Sequence, residues 1–143
     1  MRFKERNNIL VSRVYDLLTG KEESEYKTKL YKKGGVYIDE GYDGQISAFS
    51  VSVAMIGLRP TLAMYYQKGG SAVDTHNIVG IIAEMLILDG LNFTEGNKPA
   101  EKLFRYVMDN RLEKEKLDKI TRDIIDIAVA LKVVVRTFLE NKK

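Results

Sequence analysis

Apolar residues along this chain recur mainly at spacings of three and four, the period of an α-helix. The C-terminal segment shows this best, with one apolar stripe formed by Leu117, Ile120, Ile124, Ile127, Leu131, Val134 and Phe138. Val129 and Val133 widen the apolar face of the same segment. We therefore expect one long helix there, contacting neighbouring helices on two sides.

Further helices are predicted along the rest of the chain. They cover residues 3–18, 22–33, 43–56, 60–68, 75–88 and 99–109. Apolar and polar residues do not alternate over any long stretch, and proline occurs only at Pro60 and Pro99. The sequence thus predicts an all-α fold, a compact bundle of six or seven helices that forms a single domain over residues 1–143.

The helix at 75–88 is apolar nearly all round, so we expect it at the centre of the bundle. Its narrow polar exception consists of Asn77, Gly80 and Glu84, and Gly80 would let another helix come close. Asp74 or Ser71 is expected to cap this helix, and Asn97 the next one. The helix at 43–56 is expected to bury Ile46, Phe49, Val53 and Ile56.

The motif Tyr-x-Lys-Gly-Gly occurs twice, beginning at Tyr31 and at Tyr66. Phosphate-binding loops place their glycines before a helix, so that the first N–H groups of the helix point at the anion. Here the glycines follow helical segments, where glycine relieves the left-handed turn at a helix end. We therefore interpret both motifs as signals that end a helix.

Charge is distributed unevenly along the chain. Residues 1–33 carry a net charge of +4, residues 34–97 a net charge of −5 and residues 98–143 a net charge of +4. If both ends pack side by side, they would form a basic face able to attract nucleic-acid phosphates. The alternative is a set of solvated helix faces with no partner.

The composition of the chain excludes several classes of site. The chain has no cysteine, which excludes disulfides and thiolate metal sites, and it has one histidine, His76. The longest apolar run has 11 residues and contains Gly80 and Glu84, so it is too short to cross a membrane. The N-terminus has no apolar signal segment, so we expect a cytoplasmic protein. We also expect no metal and no cofactor.

Two acidic features leave other functions open. Residues 39–50 overlap the pattern of a calcium-binding EF-hand loop, with Asp39 and Asp43 at ligand positions, but Gly41 and Ser50 stand where ligands belong. A linker that caps the next helix is the preferred interpretation. Glu84, inside its apolar run, suggests an enzyme hypothesis: a small hydrolase that uses Glu84 with the Asp39/Asp43 loop and has a polar pocket around Glu84.

The segment 46–70 resembles the small-subunit family of the type III-B CRISPR (Cmr) effector complex, the fifth Cmr protein. The matching residues are Ile46, Phe49, Gly57, Leu58, Pro60, Thr61, Leu62, Ala63 and Tyr65. Ser50 and Met64 depart from the family pattern, where glycine and phenylalanine are usual. The ends of the chain agree with the family only in length and helicity.

The resemblance implies a non-catalytic helical protein of antiviral defence. In that family, copies stack head to tail beside the subunits that hold the guide RNA, and the groove between them takes the guide–target RNA duplex. Expected partners are therefore other Cmr subunits, copies of the chain itself, guide RNA and target RNA, and no membrane. Another subunit would cut the target.

Candidate RNA contacts follow from the charge map. Arg59 and Lys68 are the only basic residues in the acidic middle, and they flank the helix with the family-like motif. A salt bridge is the alternative role for each. The remaining candidates lie on the two basic ends: Arg13, Lys32, Lys33 and Arg136. Changing Arg59 and Lys68 to Glu is predicted to weaken RNA binding at an unchanged melting temperature.

Overall fold

The fold is all-α, as the sequence predicts. A computed structural model describes residues 3–20, 22–67 and 73–140 as one bundle of seven helices without a strand. The helices are α1 (Phe3–Leu18), α2 (Lys27–Leu30), α3 (Gly41–Ile56), α4 (Leu58–Tyr66), α5 (His76–Leu88), α6 (Pro99–Met108) and α7 (Lys114–Thr137). None of the helices in these ranges is long and apolar enough to span a membrane.

Helix α5 lies at the centre, packed against α2, α4, α6 and α7. All ten residues from 77 to 86 are buried, because the helix is apolar on almost every side. The less apolar strip formed by Asn77, Gly80 and Glu84 is buried too. Asn77 Nδ2 donates to the hydroxyl of Tyr42 at 3.0 Å, Gly80 receives the ring of Tyr26, and Glu84 bonds Ser24.

Helix α7 covers the bundle by packing against α1 and α3. Arg136, near the end of α7, pairs with Asp43 at the start of α3 at 3.2 Å, so the two helices run antiparallel. On the other side, Arg6 of α1 binds Asp123 at 3.1 Å and Asp126 at 2.9 Å. The two basic ends of the chain therefore do pack side by side.

Helices α3 and α4 meet at a tight corner within the described part of the segment 46–70. Gly57 joins the two helices with a φ of 95°, a left-handed value that favours glycine. Pro60 lies in the first turn of α4, as predicted, where its missing N–H costs nothing. The buried hydroxyl of Thr61 bonds Ser52 at 2.7 Å, and the ring of Tyr65 packs edge-on against Phe49.

The second predicted helix is wrong in extent, since only Lys27–Leu30 is helical rather than 22–33. Ser24 Oγ accepts the N–H groups of Tyr26 and Lys27, which sets the start of α2. After Leu30 the chain turns back in a short hairpin, with an isolated antiparallel bridge between Tyr31 and Ile38.

The first Tyr-x-Lys-Gly-Gly motif is therefore a hairpin turn and not a helix end. Gly34 has a φ of 71° inside this turn, and the N–H of Lys32 bonds the carbonyl of Tyr37 at 2.8 Å. In the second motif, Lys68, Gly69 and Gly70 lie outside the described residues.

One predicted cap, Asn97, and one predicted core residue, Ile56, need correction. Asn97 does not cap α6; its N–H instead donates to Glu101 Oε1 at 2.8 Å. Asp74 Oδ1 does accept the N–H of His76 at the start of α5, whereas Ser71 lies outside the described residues. The side chains of Ile56, Val129 and Val133 are about half exposed, because no described element covers that side of α3 and α7.

Candidate nucleic-acid interface

Arg59 is a structural residue rather than a free cation. Its Nε donates to the carbonyl of Val107 at 2.7 Å and its Nη2 to the carbonyl of Asp109 at 3.0 Å. These carbonyls end α6, where the helix dipole is negative and carbonyl groups lack helical partners. The guanidinium therefore links the start of α4 to the end of α6. Arg59 forms these bonds to the backbone instead of the salt bridge that was its alternative role.

Three other candidates lie at one end of the bundle. Arg136 pairs with Asp43, and Lys32 Nζ pairs with Glu140 at 3.4 Å. Lys33 is exposed in the hairpin beside Lys32. The hairpin docks on the end of α7 through the N–H of Ile38, which bonds the carbonyl of Phe138 at 2.9 Å.

Arg13 lies elsewhere, on α1, and binds Asp89 at the end of α5 with Nη1 to Oδ1 at 2.6 Å. Lys68 lies outside the described residues. The structure therefore brings Lys32, Lys33 and Arg136 together, and it separates them from Arg13 and Arg59. Three of these cations already pair with carboxylates, which reduces the charge they offer to a phosphate.

Glu84 is buried, with 8% of its surface exposed, and both of its carboxylate oxygens accept hydrogen bonds. The hydroxyl of Ser24 donates to Oε1 at 2.5 Å, and the N–H of Glu25 donates to Oε2 at 2.8 Å. Burial raises the pKa of Glu84, and the two hydrogen bonds work against that rise. The group anchors the loop before α2 to the central helix.

The other acidic candidates are placed apart from Glu84. Asp39 Oδ1 accepts the N–H of Gly41, the first residue of α3, at 2.9 Å, so it caps that helix as preferred from the sequence. Residues 41–50, which would form most of the calcium loop, are helical. Within the ranges that the structure describes, no group of three or more His, Asp or Glu is arranged to hold a metal ion.

His76 lies in the first turn of α5, as predicted, inside an aromatic cluster. Its Nδ1 is 2.5 Å from the carbonyl of Tyr66, and the two rings lie 4.8 Å apart. Tyr66 in turn stacks on Phe104 of α6 at 4.2 Å. Because a carbonyl only accepts, Nδ1 carries a proton, and the ring ties α4 to α5.

A groove that sequence reasoning did not find lies between the segment after α5 and helices α6 and α7. It has a volume of about 390 Å³ and is lined by Leu91, Asn92, Tyr106, Lys116, Lys119, Ile120 and Asp123. The signal in the sequence was weak, because its lysines belong to a helix face of mixed charge. Only the fold places them beside Tyr106.

The outer side of α3 presents an apolar face made of Ala48, Val51 and Met55. Val51 is 57% exposed and Met55 78%, and the three residues line a shallow groove of about 430 Å³ together with Ser47, Ser52 and Ile56. Helices α4 and α7, which pack on either side of α3, also expose apolar side chains, namely Met64, Val129 and Val133. Exposed apolar surface of this kind is typical of a protein–protein contact.

Comparison of the chain with protein-family models, with curated proteins and with solved structures found no match.

Proposed function

We propose that this protein is a non-catalytic small subunit of a type III-B CRISPR effector complex, which stacks beside the subunits that hold the guide RNA. The resemblance of segment 46–70 to that family supports the proposal. The described part of that segment, residues 46–67, runs from α3 through the α3–α4 corner and along α4. Expected partners remain other Cmr subunits, copies of this chain, guide RNA and target RNA.

The observation that carries the proposal is the apolar face of α3. The family-like residues Ile46 and Phe49 turn into the core of the bundle, so Ala48, Val51 and Met55 on the same helix face outward. A side chain as apolar as Met55, 78% exposed, gains by packing against a protein neighbour. A subunit that works by assembly needs such a surface. The bonds of Glu84 to Ser24 and Glu25 give that carboxylate a structural role, so the proposal assigns it none in catalysis.

The decisive experiment is purification of the tagged chain from its native host. We expect it to bring down a short guide RNA and several larger proteins. Recovery of the chain without RNA or partners would overturn the proposal.

A variant pair tests whether the apolar face makes the contact. Val51→Glu with Met55→Glu should keep its melting temperature, since both side chains are exposed, and should lose the partners. Val36→Glu is the control, because Val36 is 75% exposed in the hairpin and does not line the groove on α3. If the two variants recover partners equally well, the assembly contact lies on another surface.

A further inference from the structure

The groove beside Tyr106 combines the three kinds of side chain that hold single-stranded nucleic acid. Tyr106 supplies an aromatic ring, Asn92 an amide that both donates and accepts, and Lys116 and Lys119 supply positive charge. Leu91 and Ile120 add an apolar lining. A volume of about 390 Å³ falls in the range of clefts that take small ligands, and one nucleotide is a ligand of that size.

Tyr106 is held in a fixed position in this groove. Its ring packs against Phe93, with the ring centroids 5.4 Å apart and the ring planes at 70°. Tyr106 also lines a second, smaller hollow of about 60 Å³ on its other side, together with Phe93, Lys102, Arg105 and Arg111. The two hollows therefore adjoin at the tyrosine.

The charge around Tyr106 favours an anionic occupant. The two hollows are lined by five basic residues, namely Lys102, Arg105, Arg111, Lys116 and Lys119, and by three acidic ones, namely Glu95, Asp109 and Asp123. Asp123 pairs with Lys119 at 2.8 Å and with Arg6 at 3.1 Å, so two cations share this carboxylate, and the side chain of Lys119 stays 70% exposed. Asp109 is held by Arg111 at 3.0 Å.

Two lysines that line the hollows supply positive charge that no carboxylate of the described residues neutralises. Within the described ranges, Lys102 and Lys116 form no ion pair, and Lys116 is exposed at the rim of the groove. Phosphates are the natural partners of such lysines, and bases stack on an aromatic ring without regard to sequence.

We propose that this groove binds a single-stranded nucleic acid, with one base stacked on Tyr106 and the neighbouring phosphates on Lys116 and Lys119. That the strand is RNA rests on the proposed function; the groove itself offers the chemistry shared by RNA and DNA strands. The site differs from the cations predicted from the sequence: Lys68 lies outside the described residues, and none of the other five lines the groove.

The test is binding of a labelled single-stranded oligonucleotide to the purified chain, followed by fluorescence anisotropy over a range of salt concentrations. Tyr106→Leu should weaken binding about fivefold or more, while Tyr106→Phe, which keeps the ring, should bind like the wild type. Lys116→Gln with Lys119→Gln should reduce the slope of log affinity against log salt by about 1.4, because each of the two phosphate contacts contributes about 0.7 to that slope.

A matched control is Lys98→Gln with Lys114→Gln, which removes the same charge at exposed lysines that do not line the groove. If the control lowers the slope as much as the groove variant, binding is spread over the surface and the proposal fails. It also fails if Tyr106→Leu binds like the wild type. Because Lys116 and Lys119 are exposed, their variant keeps the test valid even if Tyr106→Leu unfolds the chain.

Two further arms separate this proposal from the proposed function. RNA that binds more tightly than DNA of the same sequence supports an RNA strand, and equal affinities contradict that assignment while supporting a single-strand site. A chain that binds through the groove but leaves its host without guide RNA or partners overturns the proposed function alone. A chain recovered with guide RNA whose groove variants bind like the wild type overturns the groove alone.

Discussion

Glu84 of α5 accepts a hydrogen bond from the hydroxyl of Ser24 at 2.5 Å, across 60 positions of sequence. Ser24 Oγ also accepts the N–H groups of Tyr26 and Lys27. One buried carboxylate therefore orients the hydroxyl that caps α2. Of the charged side chains in the described ranges, Glu84 is the one that lies in the core.

The first prediction is that Glu84 makes stability fall as the pH rises. Burial raises the pKa of Glu84 above its ordinary value of 4.5. Between the ordinary and the raised pKa, the folded chain keeps a proton that the unfolded chain has lost, so stability decreases with increasing pH in that window. Glu84→Gln cannot titrate and should lack this contribution.

Thermal unfolding of the wild type and of Glu84→Gln, followed by circular dichroism from pH 4.5, the ordinary pKa of the group, up to neutral pH, measures this effect. We expect the wild type to lose stability relative to Glu84→Gln as the pH increases. The absolute order of the two melting temperatures is not the test, because Gln also exchanges one acceptor for a donor. A difference that stays constant, or that grows in favour of the wild type, would contradict a raised pKa.

The second prediction concerns Gly80, where the ring of Tyr26 leaves no room for a side chain. A Cβ atom at Gly80 would overlap the tyrosine ring. Gly80→Ala should therefore destabilise the fold by about 1–3 kcal/mol through overpacking, although alanine favours a helix over glycine by about 1 kcal/mol. Helix propensity alone would predict that Gly80→Ala stabilises the fold, whereas we expect it to destabilise the fold.

Gly44 of α3 is the matched control. It also lies in a helix, but a Cβ there would meet no atom within 4 Å. Gly44→Ala should be neutral or stabilising by up to about 1 kcal/mol. Urea unfolding of both variants gives the comparison, and equal effects would mean that Tyr26 moves aside at little cost.

The course of α5 and α7 could be predicted from the sequence, whereas α2 could not. An apolar surface all round α5 requires neighbours on every side, so its central place follows from its own residues. The extent of α2 depends instead on the bond between Ser24 and Glu84, and the hairpin after it docks on the end of α7 through the N–H of Ile38 and the carbonyl of Phe138. Contacts made by residues distant in sequence leave no local pattern.

The same limit applies to the candidate site. Arg59 stands out in the sequence because basic residues are rare between 34 and 97, but its partners Val107 and Asp109 lie 48 and 50 positions away. Val129 and Val133 widen the apolar face of α7 but are about half exposed, because an apolar residue beside a stripe does not show whether the fold provides a neighbour. Their exposure, together with that of Met55, reveals the apolar surface.

The third prediction separates helix capping from calcium binding at Asp39. Because Asp39 Oδ1 bonds the N–H of Gly41, Asp39→Ala should lower stability by about 1 kcal/mol, and Asp39→Asn, which keeps an oxygen acceptor, should lose less. Calcium should leave the melting temperature of all three proteins unchanged. A calcium-dependent increase of several degrees in the wild type that Asp39→Ala abolishes would revive the EF-hand hypothesis.

The fourth prediction is that Arg59 supports the fold, which alters how its variants must be tested. Arg59→Gln removes two hydrogen bonds to the carbonyls that end α6, and it should cost about 1–3 kcal/mol of stability. Arg59→Lys should lose much of the same stability, since a single ammonium does not reproduce the fork of the guanidinium. Arg122→Gln, at an exposed arginine of α7, is the control and should melt like the wild type.

The expectation that Arg59→Glu with Lys68→Glu leaves the melting temperature unchanged is accordingly replaced by an expected decrease of several degrees. Weaker RNA binding by that double variant would then report partial unfolding as readily as the removal of a phosphate-binding side chain. RNA binding by Arg59→Gln should therefore be measured well below its own melting transition. If Arg59→Gln melts like the wild type and yet binds RNA with a shallower salt dependence, Arg59 binds the phosphates and its bonds to Val107 and Asp109 contribute little to the fold.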